Sequence, residues 1–339
     1  MLRRRTRGFA LVIVLWVLAG LTVVAVAVAS SVRTSSEGLK LLRDRVRAEA
    51  DFMSSAARVK VLTSTAGPTR AAFHGPHGWL FADGRALGAG ADDWVLVQDT
   101  GGLVQLGRVN ETRLLRLLRD CSAGDLQARR LVDALLDYVD VDSLKRANGA
   151  EAFDYAGTEL PPPRNSSLLS MAELWRIKGW PEFKPLWDSA QCRERASLRG
   201  DGTFNRNTAS LPALLADGMD ATVAASVIGS REDGFADTTL ALSDATAEAS
   251  NPFNFAGGGF VGSVVRVRHF ADWLQWGIEY ELELTPSRGG GPWRVHEMRV
   301  LARRDDLVKP QATLPATNFW DPARNAELDS AATNLPFAN

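Results

Sequence analysis

The feature that most constrains this chain is a run of 21 residues, Phe9 to Ala29, that carries no charged side chain and follows four arginines. Apart from Thr22 the run is apolar or small, and as a helix it would span roughly 30 Å, enough to cross the hydrocarbon core of a bilayer. The arginines before it favour a cytoplasmic N-terminus, so that the rest of the chain would be exported. The run therefore predicts either a membrane anchor or a cleaved secretory signal.

Two features favour the anchor over the signal. A secretory signal has a shorter apolar core and ends at a small-residue cleavage site, for which the AVAVASS stretch could serve. Here the apolar run is longer, and a helical pattern of Ala, Leu, Arg, Glu and Lys continues beyond it with no proline and only Gly38 as an interruption. We therefore expect one helix over residues 9–65, with residues 9–29 in the membrane.

The rest of the chain predicts strands on either side of a helical middle. A Gly- and Pro-rich stretch, GPTRAAFHGPHGWLFADGRALGAGADD, is typical of a connection, and WVLVQDTGGLVQLGRV has the composition of a hairpin. Residues 111–250 show apolar residues at three- and four-residue spacing. The segments SVVRVRHF, WGIEYELELTP and WRVHEMRVLAR then alternate apolar and polar residues, as strands do.

These patterns predict an α+β fold. Residues 66–110 and 251–305 would form an α/β domain whose antiparallel sheet packs against the N-terminal helix, and residues 111–250 would be an inserted all-α domain. The final residues, 306–339, are rich in Pro, Asn and Ala with weak periodicity, and are expected to form a loosely ordered tail.

An acidic stretch, LLDYVDVDSLKRANGAEAFDY, offers candidate metal ligands. Asp140, Asp142 and Glu151 have the spacing of positions 1, 3 and 12 of an EF-hand loop. Leu144 and Lys145 stand where that loop needs an oxygen donor and a glycine, so it is not an EF-hand. The hard-oxygen cluster of these three acids with Asp154 could hold Ca²⁺ in another geometry, or the stretch could be a solvated acidic turn after a helix.

Other functional classes find little support in the sequence. Cys121 and Cys192 lack the CxxC spacing of a zinc ribbon or a redox site, although they could pair in an extracytoplasmic domain. No GxSxG, HExxH or P-loop motif is present, so we expect no enzyme and no catalytic cofactor. The formal net charge of −1 gives no bulk attraction for nucleic acid.

The N-terminal segment RRRTRGFALVIVLWVL resembles the type IV pilin superfamily, whose members carry a basic leader ending in Gly before an apolar helix. The resemblance implies a leader over residues 1–8, cleavage after Gly8 by a prepilin peptidase, and N-methylation of Phe9. Most members carry Glu at the fifth mature position, where its proposed partner is the terminal amine of a neighbouring subunit; this chain has Ile13 there. Since a buried carboxylate needs a partner, its loss is compatible with a position at the filament tip.

Four further segments, DYVDVD, GAEAFDY, PPPRN and AELWRIKG, resemble the general secretion pathway protein K family of type II secretion minor pseudopilins, with Tyr138 replacing the usual Trp. The resemblance implies a pilin-like fold, a single-pass inner-membrane protein with a periplasmic globular part, and structural calcium in the inserted helical domain. It implies a subunit that caps the pseudopilus tip and nucleates assembly. The implied partners are the I- and J-type minor pseudopilins and the major pseudopilin.

The segment FNRNTASLPALLADGMDATVAASVIGSREDGF resembles the helix-hairpin-helix unit of competence DNA receptors, so a DNA-binding component of a related DNA-uptake pilus is the alternative. In DNA-binding versions the hairpin is Gly-apolar-Gly, and its amides meet a phosphate. Here the hairpin is Gly218-Met219-Asp220, with Asp217 beside it, and carboxylates repel phosphate. We therefore expect a packing module in which Arg231 is structural.

Overall fold

The computed structural model describes residues 7–234, 259–285, 291–302 and 312–315. The chain divides into two compact units, Met1–Ser54 and Ser55–Asn339. Helix α1 (Arg7–Thr65) runs through the boundary between them as one continuous element. The predicted helix over residues 9–65 is therefore present, whereas the leader residues 1–6 and the side chains of residues 7–10, including Phe9, lie outside the described part.

The first unit is the N-terminal part of α1. From Leu11 the helix is long and apolar enough to cross a membrane, with a mean hydropathy of 2.9 over its most apolar window. The large apolar side chains of this stretch are exposed to solvent, as expected of a surface meant for lipid or for other helices. Farther along, ion pairs at i,i+4 spacing support the helix, with Arg33–Glu37 at 3.3 Å and Arg45–Glu49 at 3.0 Å.

The second unit contains the last turns of α1. Val59 and Leu62 are buried there. The Arg58 guanidinium donates to the backbone carbonyl of Ala89 at 2.5 Å and to that of Leu314 at 2.7 Å. These contacts attach the end of α1 to the edge of the sheet, so the predicted packing of the helix on an antiparallel sheet is confirmed for this part of α1.

The strands form one large sheet and two small ones. In chain order they are β1 (Gly67–Pro68), β2 (Ala72–Gly75), β3 (Gly78–Phe81), β4 (Asp83–Gly88), β5 (Asp93–Asp99), β6 (Val104–Gln105), β7 (Ala196–Ser197), β8 (Val264–Ala271), β9 (Trp276–Leu284), β10 (Trp293–Ala302) and β11 (Ala312–Thr313). The six-stranded sheet has the order β10-β9-β8-β5-β4-β11 and is antiparallel except where β11 joins β4. Strands β1 to β3 form an antiparallel sheet of their own, and β6 pairs with β7 in parallel.

Two expectations about chain termini and connections are wrong. Residues 67–88, expected to be a connection, form four strands. The cause is short apolar segments: the buried residues Phe73 and Leu80 lie opposite each other in the β2–β3 pair, which a tight turn connects. Residues 312–315, expected to belong to a loosely ordered tail, add β11 to the sheet and bury Leu314. The rest of the tail, residues 316–339, lies outside the described residues.

The predicted hairpin around DTGG is also wrong. After β5 the chain makes a turn of 3-10 helix, Thr100–Gly102, and β6 then pairs with β7 and not with β5. The cause is the buried carboxylate of Asp99, which accepts hydrogen bonds from the Gly101 N–H at 2.9 Å and the Thr208 hydroxyl at 2.8 Å. Because a buried carboxylate must be satisfied, these donors fix the chain away from a hairpin path.

The helices between β6 and β8 are α2 (Glu111–Asp120), α3 (Asp125–Val139), α4 (Ala152–Tyr155), α5 (Trp180–Ser189), α6 (Cys192–Arg195), α7 (Leu211–Asp217) and α8 (Ala221–Gly234), with a 3-10 helix at Met171–Arg176. A large core joins α2, α3, α5 and α6 and includes the fully buried Trp180 and Trp187. Helices α7 and α8 share a separate small core with Phe204 and Leu214. Residues 235–250 of the predicted insertion and residues 251–258, the start of the segment that follows it, lie outside the described part.

Candidate metal centre

The candidate centre begins where α3 ends. Leu131, Leu135 and Tyr138 recur at helical spacing on the buried face of α3. The helix ends at Val139, and the next residue, Asp140, has an extended backbone with φ −75° and ψ 167°. The chain therefore leaves the helix at the acidic segment that the sequence singled out.

Two carboxylates of α3, one turn apart, hold the following loop against the helix. Asp133 Oδ2 accepts from the backbone N–H of Asn148 at 3.0 Å and from its side-chain amide at 2.9 Å. Asp137, which is completely buried, accepts from the backbone N–H of Arg146 at 3.3 and 3.2 Å. These bonds fold the loop back, so that residue 151 returns to the end of α3.

The returning loop brings three of the four predicted ligands together. Asp140, Asp142 and Glu151 each offer a carboxylate oxygen, and these oxygens lie within 4.8 Å of one another. Glu151 is only 7% exposed, whereas Asp142 faces solvent. Among the described residues, Asp140 Oδ1 and Glu151 Oε1 are buried oxygens with no hydrogen-bond partner.

The electrostatics of this group are unfavourable without a cation. Burial, followed by the neighbouring charge of Asp142, raises the pKa of Asp140 above its ordinary value. Burial, followed by the charges of Asp137 and Asp140, raises the pKa of Glu151 in the same way. Burial and the charge of Asp140 also hold the pKa of Asp137 high, despite the Arg146 amide. Like charges crowded at a partly buried position cost free energy that a bound cation would remove.

The donor set fits a hard divalent cation. All three groups are carboxylates, and Ca²⁺ is bound by six to eight oxygens at about 2.3–2.6 Å. The spacing of the three oxygens, which lie within 4.8 Å of one another, is compatible with a single ion of this kind. The two buried oxygens without partners, Asp140 Oδ1 and Glu151 Oε1, are the groups that it would satisfy. Asp140, Asp142 and Glu151 would hold the ion, and it would supply structural charge neutralisation.

Asp154, the fourth predicted ligand, is engaged elsewhere. Its Oδ1 forms an ion pair with Lys145 Nζ at 2.6 Å, and its Oδ2 accepts from the backbone N–H of Glu151 at 3.0 Å. The hydrogen bond from Lys145 and then that from the Glu151 amide lower the pKa of Asp154. The structure therefore places Asp154 as a cap of α4 and not in the group of three.

The four sequence segments of the family resemblance meet around this centre. Lys178 donates its backbone N–H to Tyr155 Oη at 3.0 Å and its Nζ to the Asp154 carbonyl at 2.9 Å. Arg164 pairs with the buried Glu173 at 2.9 Å. Asn165 donates to the carbonyl of Asp142 at 2.9 Å. The motif residues thus form one connected structure around the acidic loop.

The remaining predicted residues lie apart from this centre. Cys121 and Cys192 are buried and joined by a disulfide with a Cα–Cα distance of 6.1 Å, which ties the end of α2 to the start of α6. Ile13 lies in the first unit and is 47% exposed.

The hairpin unit has the chemistry of a packing module. Arg231 is buried and donates to the carbonyls of Ala209 at 2.8 Å and Arg206 at 2.5 Å. Asp220 accepts from the backbone N–H of Thr222 at 2.8 Å at the start of α8, where a phosphate would otherwise bind. Asp217 pairs with Arg113 at 2.7 Å and Arg206 at 2.7 Å. Carboxylates therefore lie at the start of α8 and beside the hairpin, where a DNA phosphate would approach.

Sequence reasoning missed the residues that shape the loop. Asp133 and Asp137 supply no ligand to the group of three, yet they position it, and Arg164 and Glu173 brace the neighbouring turn. Arg164 and Glu173 lie in the motif segments PPPRN and AELWRIKG, but their pairing was not predicted. The signal of Asp133 and Asp137 in the sequence was weak. The only one is the i,i+4 spacing of two acids on the inner side of a predicted helix, where apolar residues were expected.

Comparison with known proteins gives a family match over the residues of this centre. Residues 96–183 match the family model of the type II secretion system (T2SS), protein K. A solved structure of the GspK–GspI–GspJ complex from the enterotoxigenic Escherichia coli type 2 secretion system contains a chain that is 14% identical, with a TM-score of 0.40, over 79% of this chain and 98% of that chain. No curated protein sequence matches the chain significantly. The match over residues 96–183 contains the whole acidic loop and the four motif segments, and it confirms the predicted resemblance to protein K.

Proposed function

We propose that this chain, whose residues 96–183 carry the type II secretion protein K domain, caps the tip of a periplasmic pseudopilus and nucleates its assembly. The observation that carries the proposal is the family match over the acidic loop, where the motif segments interlock by hydrogen bonds. Such a subunit would act by assembly and not by catalysis, in the export of folded proteins across the outer membrane.

The N-terminal helix supports the membrane part of the proposal. Its apolar stretch has the length of a bilayer span and follows basic residues, which favours a single pass through the inner membrane with a cytoplasmic N-terminus. A prepilin peptidase would cleave after Gly8 and leave a methylated Phe9. Ile13 in place of a carboxylate suits a subunit that meets no terminal amine of a later neighbour, which is the situation at a tip.

The part of α1 beyond the apolar run offers a surface for sibling subunits. Val32, Leu39, Leu42, Val46 and Met53 are all at least 60% exposed and follow a heptad spacing. Apolar residues at that spacing favour packing against another helix. The proposed partners are the I- and J-type minor pseudopilins and then the major pseudopilin.

Calcium has a structural part in the proposal. A cation held by Asp140, Asp142 and Glu151 would neutralise crowded charges and fix the loop on which the motif segments meet.

The hairpin does not favour nucleic acid as a partner, because Asp220 and Asp217 place carboxylates there.

The proposal is tested in the bacterium that makes this protein. Deleting its gene should abolish the release of type II substrates, and the wild-type chain should restore it. Intact-mass analysis of the restored protein should give the mass of a chain that begins at methylated Phe9. A Gly8→Val variant, which blocks leader cleavage, should accumulate at full length and fail to restore secretion. Normal secretion without the protein would overturn the proposal.

A further inference from the structure

The acidic loop carries three apolar side chains that project into solvent. Val141 is 86% exposed, Leu144 is 78% exposed and Phe153 is 90% exposed. Large apolar side chains of a folded domain are seldom exposed to this extent in one short region, and clusters of them mark surfaces that bind something. These three residues are called the apolar tips below.

The apolar tips lie around the three clustered acids Asp140, Asp142 and Glu151, called the metal group below. Val141 stands between two of its members, Asp140 and Asp142, and the carboxylate oxygens of the group come within 4.8 Å of one another. Leu144 and Phe153 are each followed by one partner of the Lys145–Asp154 ion pair, whose atoms are 2.6 Å apart. Each apolar tip therefore lies within two residues of a member of the clustered acids.

The metal group is itself partly open to solvent. Glu151 is more than nine-tenths buried, and its Oε1 has no hydrogen-bond partner among the described residues, while Asp142 is exposed. Three carboxylates fill only part of the six to eight positions around Ca²⁺, so that an oxygen from outside the chain can complete the shell. Without the ion, three negative charges would repel any anionic surface; with it, most of that charge is cancelled.

We propose that the apolar tips and the calcium group together form a calcium-dependent contact with a bilayer surface rich in anionic phospholipid. Lipid phosphate supplies hard oxygen ligands for the open positions of the ion, and the acyl region accepts projecting side chains without a matching pocket. Lys145 and Arg146, exposed in the same loop, pair with Asp154 and Asp137, so that these two further carboxylates add little net repulsion at the level of the head groups. The contact lies on the part of the chain outside the membrane helix, so it engages lipid separately from the anchor.

The proposal goes beyond the role in secretion but rests on the proposed binding of calcium by the metal group. The test therefore measures calcium binding and lipid binding separately. The full chain is held in nanodiscs of phosphatidylcholine, so that the apolar part of α1 is already embedded in a bilayer. The nanodiscs are mixed with sedimentable vesicles of phosphatidylcholine with or without phosphatidylglycerol, in Ca²⁺ or in EGTA. Calorimetry on the same nanodiscs reports calcium binding directly. We expect sedimentation with phosphatidylglycerol vesicles in Ca²⁺, and none in EGTA or with phosphatidylcholine alone.

Two variants and a matched control separate the contact from folding. Leu144→Ser and Phe153→Ser should each weaken vesicle binding about tenfold, because each removes an inserted apolar side chain, and should leave calcium affinity unchanged. Leu126→Ser is the control, since Leu126 is 55% exposed on α3 away from the loop. It should bind vesicles like the wild type.

Four results would overturn the inference. Calcium binding without vesicle binding would remove the lipid contact and leave the metal centre in place. Vesicle binding that survives in EGTA, or that Leu126→Ser weakens as much as Leu144→Ser, would show that the acidic loop is not the contact. Retention of the nanodiscs on purified sibling subunits, abolished by the Phe153→Ser change while vesicles fail to bind, would assign the surface to a protein partner.

Discussion

The carboxylate of Asp137 occupies the space that a side chain at residue 149 would need. A Cβ atom on Gly149 would lie 1.9 Å from Asp137 Oδ2, and Asp137 itself is completely buried. The close approach is what lets Asp137 accept from the backbone of the loop and return it to the helix end. The geometry of the metal group therefore depends on a glycine that supplies no ligand.

Replacing this glycine should damage both the fold and the metal group. Gly149→Ala should lower the free energy of unfolding by about 1–3 kcal/mol, as overpacking of a buried site does, and should weaken calcium binding. Thermal unfolding of the full chain in detergent, with and without Ca²⁺, measures both effects. Gly229→Ala is the control: among the described residues, no atom outside the backbone of α8 lies within 4 Å of a Cβ added at Gly229, so that change should be neutral or slightly stabilising. Equal effects of the two changes would contradict the account.

The calcium affinities of single variants, measured by calorimetry, should distinguish the residues of the metal group from Asp154. Asp140→Asn and Glu151→Gln each remove a charged ligand, so each should reduce calcium affinity by about tenfold or more. Asp154→Asn should leave calcium affinity close to that of the wild type, because its oxygens bind Lys145 and the Glu151 amide. It should instead lower stability by about 1 kcal/mol through the weakened cap of α4. A loss of calcium affinity in Asp154→Asn as large as in Glu151→Gln would restore the four-ligand prediction.

The difference between Asp154 and the other three acids shows how much of the site could be predicted from the sequence. The spacing of Asp140, Asp142 and Glu151 marked these acids, together with Asp154, as candidate ligands, and the structure brings the oxygens of the first three together. The role of Asp154 could not be predicted, since it depends on where the loop places Lys145, nine residues earlier in the chain. Nothing local in the sequence specifies that distance.

The fold, too, was predicted from the sequence only in part. The long helix and the strands β8 to β10 were predicted because their hydrophobic periods are strong and local. The path after β5 was not predicted, because it is set by Asp99 meeting Asn205, Thr208 and Gly262, which are more than a hundred residues away in sequence. Buried polar networks of that kind are decided by tertiary structure and override the turn signal of DTGG.

A buried ion cluster on the sheet predicts acid sensitivity. Burial alone would raise the pKa of Glu279, but the guanidinium groups of Arg266, Arg268 and Arg299 outweigh it and lower the pKa to about 2. A carboxylate with a depressed folded-state pKa stabilises the fold above its unfolded pKa, and this contribution is lost as the pH falls from about 4.5 towards 2.

The Glu279→Gln change should reveal this contribution. At pH 7 it should lower the free energy of unfolding by about 3–5 kcal/mol, because it removes the carboxylate that the buried Arg266 shares with the half-buried Arg268 and Arg299. The difference from the wild type should shrink when unfolding is measured at pH 3. Glu159→Gln, which removes an exposed carboxylate, should change stability by less than about 0.5 kcal/mol at either pH. A difference at pH 3 as large as that at pH 7 would be evidence against the charge cluster as its cause.

The disulfide should contribute measurably to stability. Cys121 and Cys192 are separated by 71 residues, and closing a loop of that length restricts the unfolded chain by about 4 kcal/mol. Dithiothreitol should therefore lower the thermal midpoint of the wild type. The double variant Cys121→Ala, Cys192→Ala should unfold at a lower temperature without reductant and should show no response to it. A wild-type midpoint that does not change on reduction would refute this expectation.

The central claim, that this chain is the tip subunit of a type II pseudopilus, is tested most directly by co-purification. The full-length chain is expressed with the I- and J-type minor pseudopilins of its own bacterium, extracted in mild detergent and isolated by a tag on this chain alone. We predict that all three proteins elute together in a stoichiometric complex, and that Leu39→Glu with Leu42→Glu on the exposed stripe of α1 disrupts it. Elution of this chain alone, while the other two subunits form a pair without it, would contradict the claim.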